Sequence, residues 1–286
     1  LDTRNGTGIS NGPIRIGDGS QSSTNPIFRA DDAANHDLQV TGVAGIPTSG
    51  VSAVLLNVTA ITPPTEGFIT VGPRPAGVGD VFNDQFTYKG WPTASNLNTQ
   101  PGQTVPNLVL ARVGAGGKIR LYNFNYPTHM VADVAGWFDS SALTSTSRGS
   151  AFYGVPPQRL VDTRNGLGEA SVVSGGQFAP LDSRAFTVAG LAGVPSDVES
   201  VVLNITAVSP TGTGWVTAYP DNTTQPDASN LNLNPDSDRS NLAVVKVGGN
   251  GKIRLFVAEA ETHLIVDVFG YFKTTTGAEG KTTTIN

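Results

Sequence analysis

The stretch AVLLNVTAITPP (53–64) returns almost unchanged as SVVLNITAVSPT (200–211). Each is a largely apolar run with many β-branched residues, ended by a proline-containing turn, which is the pattern of a buried strand. The same doubling extends outward in both directions. LDTRNGTG (1–8) returns as VDTRNGLG (161–168), VTGVAGIP (40–47) as VAGLAGVP (188–195), and ASNLN (94–98) at 228–232. VGAGGKIRLYN (113–123) matches VGGNGKIRLFV (247–257), and THMVADVAGWF (128–138) matches THLIVDVFGYF (262–272). Matched blocks in one order mean a duplicated domain.

GFITVGP (67–73) and GWVTAYP (214–220) read as short strands. NLVLARVGAGGKIRLYN (107–123) and NLAVVKVGGNGKIRLFV (241–257) have the form of hairpins, two apolar runs around a glycine-rich turn. The THxxxDVxGxF blocks read as closing strands, and only 28–40 and 181–189 leave room for a helical turn. The expected fold class is all-β: two tandem homologous β-sandwich, jelly-roll-like domains. The expected organisation is repeat 1 over 1–138, a Ser/Thr-rich linker over 139–150, repeat 2 over 151–272, and a Thr-rich tail over 273–286.

The copies are not equal. Asp2 and Asp162 stand 160 positions apart and Gly42 and Gly190 148, so copy 1 is longer by 12 residues within 9–39; Asn57 and Asn204 stand 147 apart and His129 and His263 134, so it is longer by 13 within 58–94. Insertions collect in surface loops, where function specific to one copy would reside. Copy 2 opens with AFYGVPPQR (151–159) before its DTR motif, whereas the sequence here opens directly on LDTR, so copy 1 is expected to lack its leading strand.

Composition narrows the function. Hydrophobic residues make up 38% of the 286, enough for real cores, while charged residues make up 14%, below the roughly 25% of ordinary soluble domains. A net charge of −5 with scattered lysine and arginine gives no footprint for nucleic acid or an anionic membrane. With no cysteine, disulfides, thiolate-bound zinc and thiol catalysis are all excluded. No run approaches the length of a membrane-spanning helix. The absence of an initiator methionine is read as a processed, exported chain.

The recurring polar residues invite catalytic readings. His129 with Asp133, and His263 with Asp267, are four apart; in a strand they share a face but lie roughly 13 Å from each other, too far for a hydrogen bond. No nucleophile elbow or metal-binding helix motif accompanies them. Their expected role is structural: an aspartate in an apolar strand requires a partner, and Arg4 and Arg164 of the DTR motifs are the candidates. Asp2 and Asp162 are expected to close Asx-turns, with Asn-Gly taking positive φ. The ASNLN corners are read as buried polar corners in preference to sugar sites. The sequons at Asn57 and Asn204 fall inside strands, so those asparagines are expected to be packed.

No cofactor is expected beyond an incidental calcium ion at the DTRNG turns. Two features point to partners. Phe82, Phe86, Tyr88 and Trp91 crowd the second insertion of copy 1, where they can stack on sugars or dock a subunit. Thr274, Thr275, Thr276, Thr282, Thr283 and Thr284 give the tail strand propensity.

Taken together, the blocks resemble a tandem surface repeat of secreted proteins in actinobacteria and related bacteria, with the pattern R-L-x-D-T-R-x-G, V-V-L-N-V-T-A-V, A-S-N-L-N, G-K-I-x-L-Y-N and T-H-x-x-x-D-V-x-G-Y-F. The resemblance covers 1–138 and 151–272 and implies an extracellular or cell-surface location and no catalytic residue. The expected function is a non-catalytic structural protein that self-assembles head to tail by β-strand addition, its partners being copies of itself. The competing expectation is a carbohydrate- or cell-wall-binding module for adhesion, using the aromatic loop.

Overall fold

A computed structural model describes residues 1–7, 35–74, 76, 95–124, 128–140, 149–168 and 176–274. The chain divides into two compact units, residues 1–140 and 141–286. Each is built from short antiparallel strands, as the apolar runs ending in Pro, Gly and Asn turns require.

Unit 2 carries eight strands: β8 (Ser150–Asp162), β9 (Ser183–Thr187), β10 (Ser200–Val208), β11 (Gly214–Pro220), β12 (Leu231–Leu233), β13 (Arg239–Lys246), β14 (Lys252–Ala258) and β15 (His263–Thr274). They form two four-stranded sheets, β13-β10-β15-β8 and β12-β11-β14-β9. Lettering the strands A to H in chain order, the sheets read F-C-H-A and E-D-G-B. That is the jelly-roll order, in which successive strands, the β11–β12 hairpin excepted, alternate between sheets through Greek-key connections. Unit 1 repeats it with β1 (Asn35–Gln39), β2 (Val51–Ile61), β3 (Gly67–Pro73), β4 (Leu97–Thr99), β5 (Val105–Arg112), β6 (Lys118–Phe124) and β7 (His129–Asp139). Its sheets are β5-β2-β7 and β1-β6-β3-β4, the same order with strand A absent among the described residues.

Alternation along the strands makes the two cores. In β10, Val201, Leu203, Ile205 and Ala207 are buried against β15 residues Leu264, Val266 and Val268. In β2, Val54, Leu56, Val58 and Ala60 do the same with Met130 and Ala132 of β7. Full burial of each larger aliphatic side chain contributes about 1.5–3 kcal/mol against the entropy of ordering the chain. A bulge recurs at one place: the register of β7 against β2 shifts between Leu55 and Leu56, and that of β15 against β10 between Val202 and Leu203.

Two expectations are corrected. The GKIR blocks are not hairpins, because β5 and β6, like β13 and β14, lie in different sheets. The glycine-rich turn carries the chain across the sandwich, and its last glycine is pressed against the start of a neighbouring turn. Gly117 has φ +72° and a Cβ there would lie 1.9 Å from Thr41 Oγ1; Gly251, with φ +75°, would meet Ala189. The room for a helical turn near 181–189 is taken by strand β9, and the described part of 28–40 is strand β1. Edge pairing to β14 and β6 overrides local ambiguity there.

Candidate functional site

The DTR motifs build a latch at one end of each sandwich. In unit 2, Asp162 Oδ1 accepts the backbone N–H of Arg164 at 3.1 Å and its Nε at 2.9 Å, while Arg164 Nη2 donates to Oδ2 at 2.7 Å. The Asp162 carboxylate is almost fully buried. The Arg164 guanidinium holds its pKa down to about 2, against the desolvation that burial imposes. In unit 1 Asp2 receives Arg4 in the same way, at 2.9 Å from the backbone N–H and 2.7 Å from Nη2, and is likewise lowered. Between these charges lies the residue that sequence reasoning passed over. Thr163 is fully buried, and its Oγ1 accepts the N–H of Leu264 at 3.0 Å and lies 3.1 Å from His263 Nδ1. Thr3 does the same with Met130 and His129, at 2.8 and 3.2 Å. The hydroxyl and Nδ1 share a hydrogen bond whose direction follows the imidazole tautomer, since the oxygen has two lone pairs and one proton. Each histidine thus fastens the closing strand to the DTR turn, and no aspartate is needed to orient it.

Asp267 meets a different arginine from the one expected. Arg164 folds back onto its own motif because its backbone N–H and side chain grip the same carboxylate. Asp267 receives Arg159 of β8 instead, at 2.9 Å from Nε, and Arg159 also reaches Asp162 at 3.3 Å. In unit 1 Arg4 forks onto Asp2, and Asp133 stands at the position of Asp267.

The remaining polar motifs are internal fasteners. In the ASNLN corners, Asn96 Oδ1 accepts the Val71 N–H at 2.8 Å, and Asn230 Oδ1 that of Ala218 at 2.7 Å. Asn107 and Asn241 reach the carbonyls of the same two asparagines. Asn57 is buried, and Asn204 donates to Thr206. One cluster had no signal in the repeat blocks. Arg120 of unit 1 binds Asp37 on β1, shared with Arg74, whereas the equivalent Arg254 binds Asp221, which stands where unit 1 has Arg74. The acid has moved from strand β1, where unit 2 has Ala185, to the position of Arg74, while the ion pair survives.

Strand A makes the large difference between the units. In unit 2, β8 runs antiparallel to β15, with Val161 opposite Val266, Arg159 opposite Asp267, Tyr153 opposite Tyr271 and Phe152 opposite Phe272. In unit 1 the described residues at that place are Leu1, which exchanges hydrogen bonds with Ala132, and Asp2, which bridges Val131. From Asp133 to Asp139, β7 is the outer strand of its sheet among the described residues. Side chains along it are uncovered accordingly. Val134 is 40% exposed although it faces Leu56, while its counterpart Val268 is 0% exposed; Trp137 and Phe138 are 40% and 37% exposed. Tyr271 instead stacks on Tyr153 at 5.2 Å between ring centres, and Phe272 packs on Phe152 at 5.3 Å.

Phe82, Phe86, Tyr88 and Trp91 lie outside the described residues, as do Thr275, Thr276, Thr282, Thr283 and Thr284. Thr274 belongs to β15: it pairs with Ser150, and both hydroxyls bind Glu199. The closing strand therefore runs two residues past Phe272, and Thr274 is not part of a free tail. Among the described residues, no three His, Asp or Glu side chains cluster to hold a metal ion, and no helix is long and apolar enough to cross a membrane.

No family model and no curated protein matches the sequence. Among solved structures, the chain is similar to the N-terminal CBM22-1-CBM22-2 tandem domain of Paenibacillus barcinonensis Xyn10C, at 15% identity and TM-score 0.25 over 90% of this chain and 89% of that one. It is also similar to the cycloalternan-forming enzyme of Listeria monocytogenes, at 13% identity and TM-score 0.22, spanning 84% of this chain but 19% of the enzyme. The ANXUR1 extracellular domain of Arabidopsis thaliana follows at 6% identity and TM-score 0.19, over 82% of this chain and 81% of that one. Likeness at this level carries no argument about function.

Proposed function

We propose that this chain is a non-catalytic structural protein of the cell surface whose copies join head to tail by β-strand addition. The observation that carries the reading is the outer edge of β7, where side chains that unit 2 buries under β8 stand exposed. A strand that is outermost in its sheet among the described residues, with an exposed core position beside it, is a template for another strand, and natural proteins normally blunt such edges. An edge on unit 1 filled from the far end of another copy is a heterologous contact, which propagates unless it closes into a ring. The donor by length and composition is 275–286, twelve residues rich in threonine, against the eleven of 150–160 that fill the matching edge in unit 2. Surface location is supported by the resemblance of the repeat blocks to secreted proteins. A non-catalytic role is supported by the polar motifs, each of which is consumed in fastening its own unit.

The test is negative-stain electron microscopy and light scattering of the purified chain beside a variant ending at Thr274, which keeps β15 whole. Filaments or large particles from the full chain and monomers from the truncation are the expected result. Monomers from both at high concentration would overturn assembly and leave glycan binding through the copy 1 loop as the reading to pursue.

A further inference from the structure

We infer that the outer part of β8, residues 150–157, is a releasable strap: tension across unit 2 peels it from β15 before the sandwich itself unfolds. The inference goes beyond assembly, because it concerns what a single chain does when it is pulled.

The direction of loading follows from the register. Ser150, the first residue of β8, and Thr274, the last of β15, are Cα partners in the antiparallel ladder. The strands of unit 2 are therefore entered and left at one point. A pull on these two ends acts across the ladder and loads its rungs one after another, starting from this mouth. β8 is the outer strand of its sheet, so peeling it breaks no pairing among the other three.

The strand itself is in two parts. Among residues 150–159 none is buried, whereas Leu160, Val161 and Asp162 all are. The ladder is interrupted just before them. Gly154 pairs with Gly270 and Gln158 with Val268, which leaves Val155, Pro156 and Pro157 opposite the single residue Phe269. Two successive prolines give that gap no N–H to donate. The outer part can thus let go without disturbing the part that seals the core.

What holds the strap closed is concentrated at the mouth. Phe152 packs on Phe272 and Tyr153 stacks on Tyr271, and Lys273 pairs with Asp197 at 2.6 Å. Glu199, the residue before β10, makes the clasp: its carboxylate accepts the hydroxyls of both Ser150 and Thr274. Those two hydroxyls hold its carboxyl below the usual range, so the clasp is ionised at neutral pH. Unit 1 has Ser52 at this place, its carbonyl accepting the Val113 N–H as that of Glu199 accepts the Val247 N–H. The Ser52 hydroxyl reaches only the carbonyls of Phe138 and Asp139, on the one closing strand. A carboxylate with two oxygens instead joins the entering strand to the leaving one.

The experiment is optical-tweezers pulling on the full chain, with handles on Gly149→Cys and Thr276→Cys, since the sequence has no cysteine of its own. Two events are expected as force rises. The first is a reversible lengthening of roughly 40 Å as the strap leaves β15. The second, at higher force, is a lengthening of roughly 400 Å as the rest of the unit unfolds. Glu199→Ala should lower the force of the first event at least twofold and leave the second unchanged. Leu160→Ala, beyond the proline gap, should lower the second and leave the first. A single unfolding event, a first event indifferent to Glu199→Ala, or an equal loss of force in both events would overturn the inference. None of these readings depends on whether copies of the chain join, so the strap and the assembly fail separately.

Discussion

Val134 and Val268 occupy the same position in two copies of the same fold, face the same partner on the adjoining strand, and differ in exposure from 40% to 0%. The difference lies in one neighbouring strand. Where β8 is present, a jelly roll has two complete sheets and its core is sealed. Where the described residues hold only Leu1 and Asp2 at that place, the hydrophobic pattern of β7 is kept while Val134 stands exposed. A duplicated domain thus carries its own control, since each side chain on one edge has a twin that shows what a neighbouring strand does.

The sharpest way to break this comparison is to truncate the core at both places. Leu160→Ala removes a buried side chain from unit 2 and should cost about 2–5 kcal/mol. Val134→Ala removes a side chain that is already in contact with water and should change stability by less than about 0.5 kcal/mol. Hydrogen–deuterium exchange read by mass spectrometry separates the units: protection across 200–208 should fall in the first variant, while protection across 51–61 should hold in the second. Equal losses would mean that the β7 edge is covered in the isolated chain as fully as that of β15.

The threonine latch sharpens the comparison from the other side, since it is identical in both units. Thr163→Ala and Thr3→Ala each leave a buried backbone N–H, of Leu264 or Met130, without its acceptor. Each should cost about 1–3 kcal/mol. Chemical denaturation of the two variants should give matching losses. A much smaller loss for Thr3→Ala would show that the open edge lets the first turn of unit 1 fray and rehydrate.

The sequence disclosed much of this and hid the rest for identifiable reasons. The paired blocks around 53–64 and 200–211 announced strands and duplication, because a half-buried sheet imposes a short-period apolar pattern. They could not tell a hairpin from a crossing between sheets, as at β5 and β6, because either connection needs a glycine-rich turn. The aspartates of the closing strands were legible as residues in need of a partner. Which arginine answered was not, since Arg159 lies outside the motif and reaches Asp267 only through register. Thr163 was invisible as a site residue because a threonine in a polar turn looks like any solvent-facing turn residue, and only the fold buries it. The exchange of Asp37 for Asp221 was hidden because the two acids lie in different strands and loops, and only the arginine they share is aligned.

The smallest expected difference is in acid. Both DTR aspartates are held below their ordinary value by the arginine two residues on, Asp162 down to about 2 from 3.8 and Asp2 in the same direction. A carboxylate whose folded pKa is depressed contributes stability that is present above its unfolded pKa and is lost as pH falls through the folded one. Unit 2 should therefore weaken between about pH 4 and pH 2, and unit 1 as pH falls below the ordinary aspartate range. The side chain of Asp162 is 2% exposed and is reached by two arginines, whereas that of Asp2 is 16% exposed and its arginine lies largely in water. Screening by solvent makes the exposed pair the weaker one. Carboxyl chemical shifts followed by NMR should show Asp2 taking up its proton at a higher pH than Asp162. Arg4→Ala should move the titration of Asp2 less than Arg164→Ala moves that of Asp162. Were the two aspartates to titrate together, their difference in exposure would have no electrostatic consequence at the turn, and the contrast between the units would be confined to the β7 edge beyond Ala132.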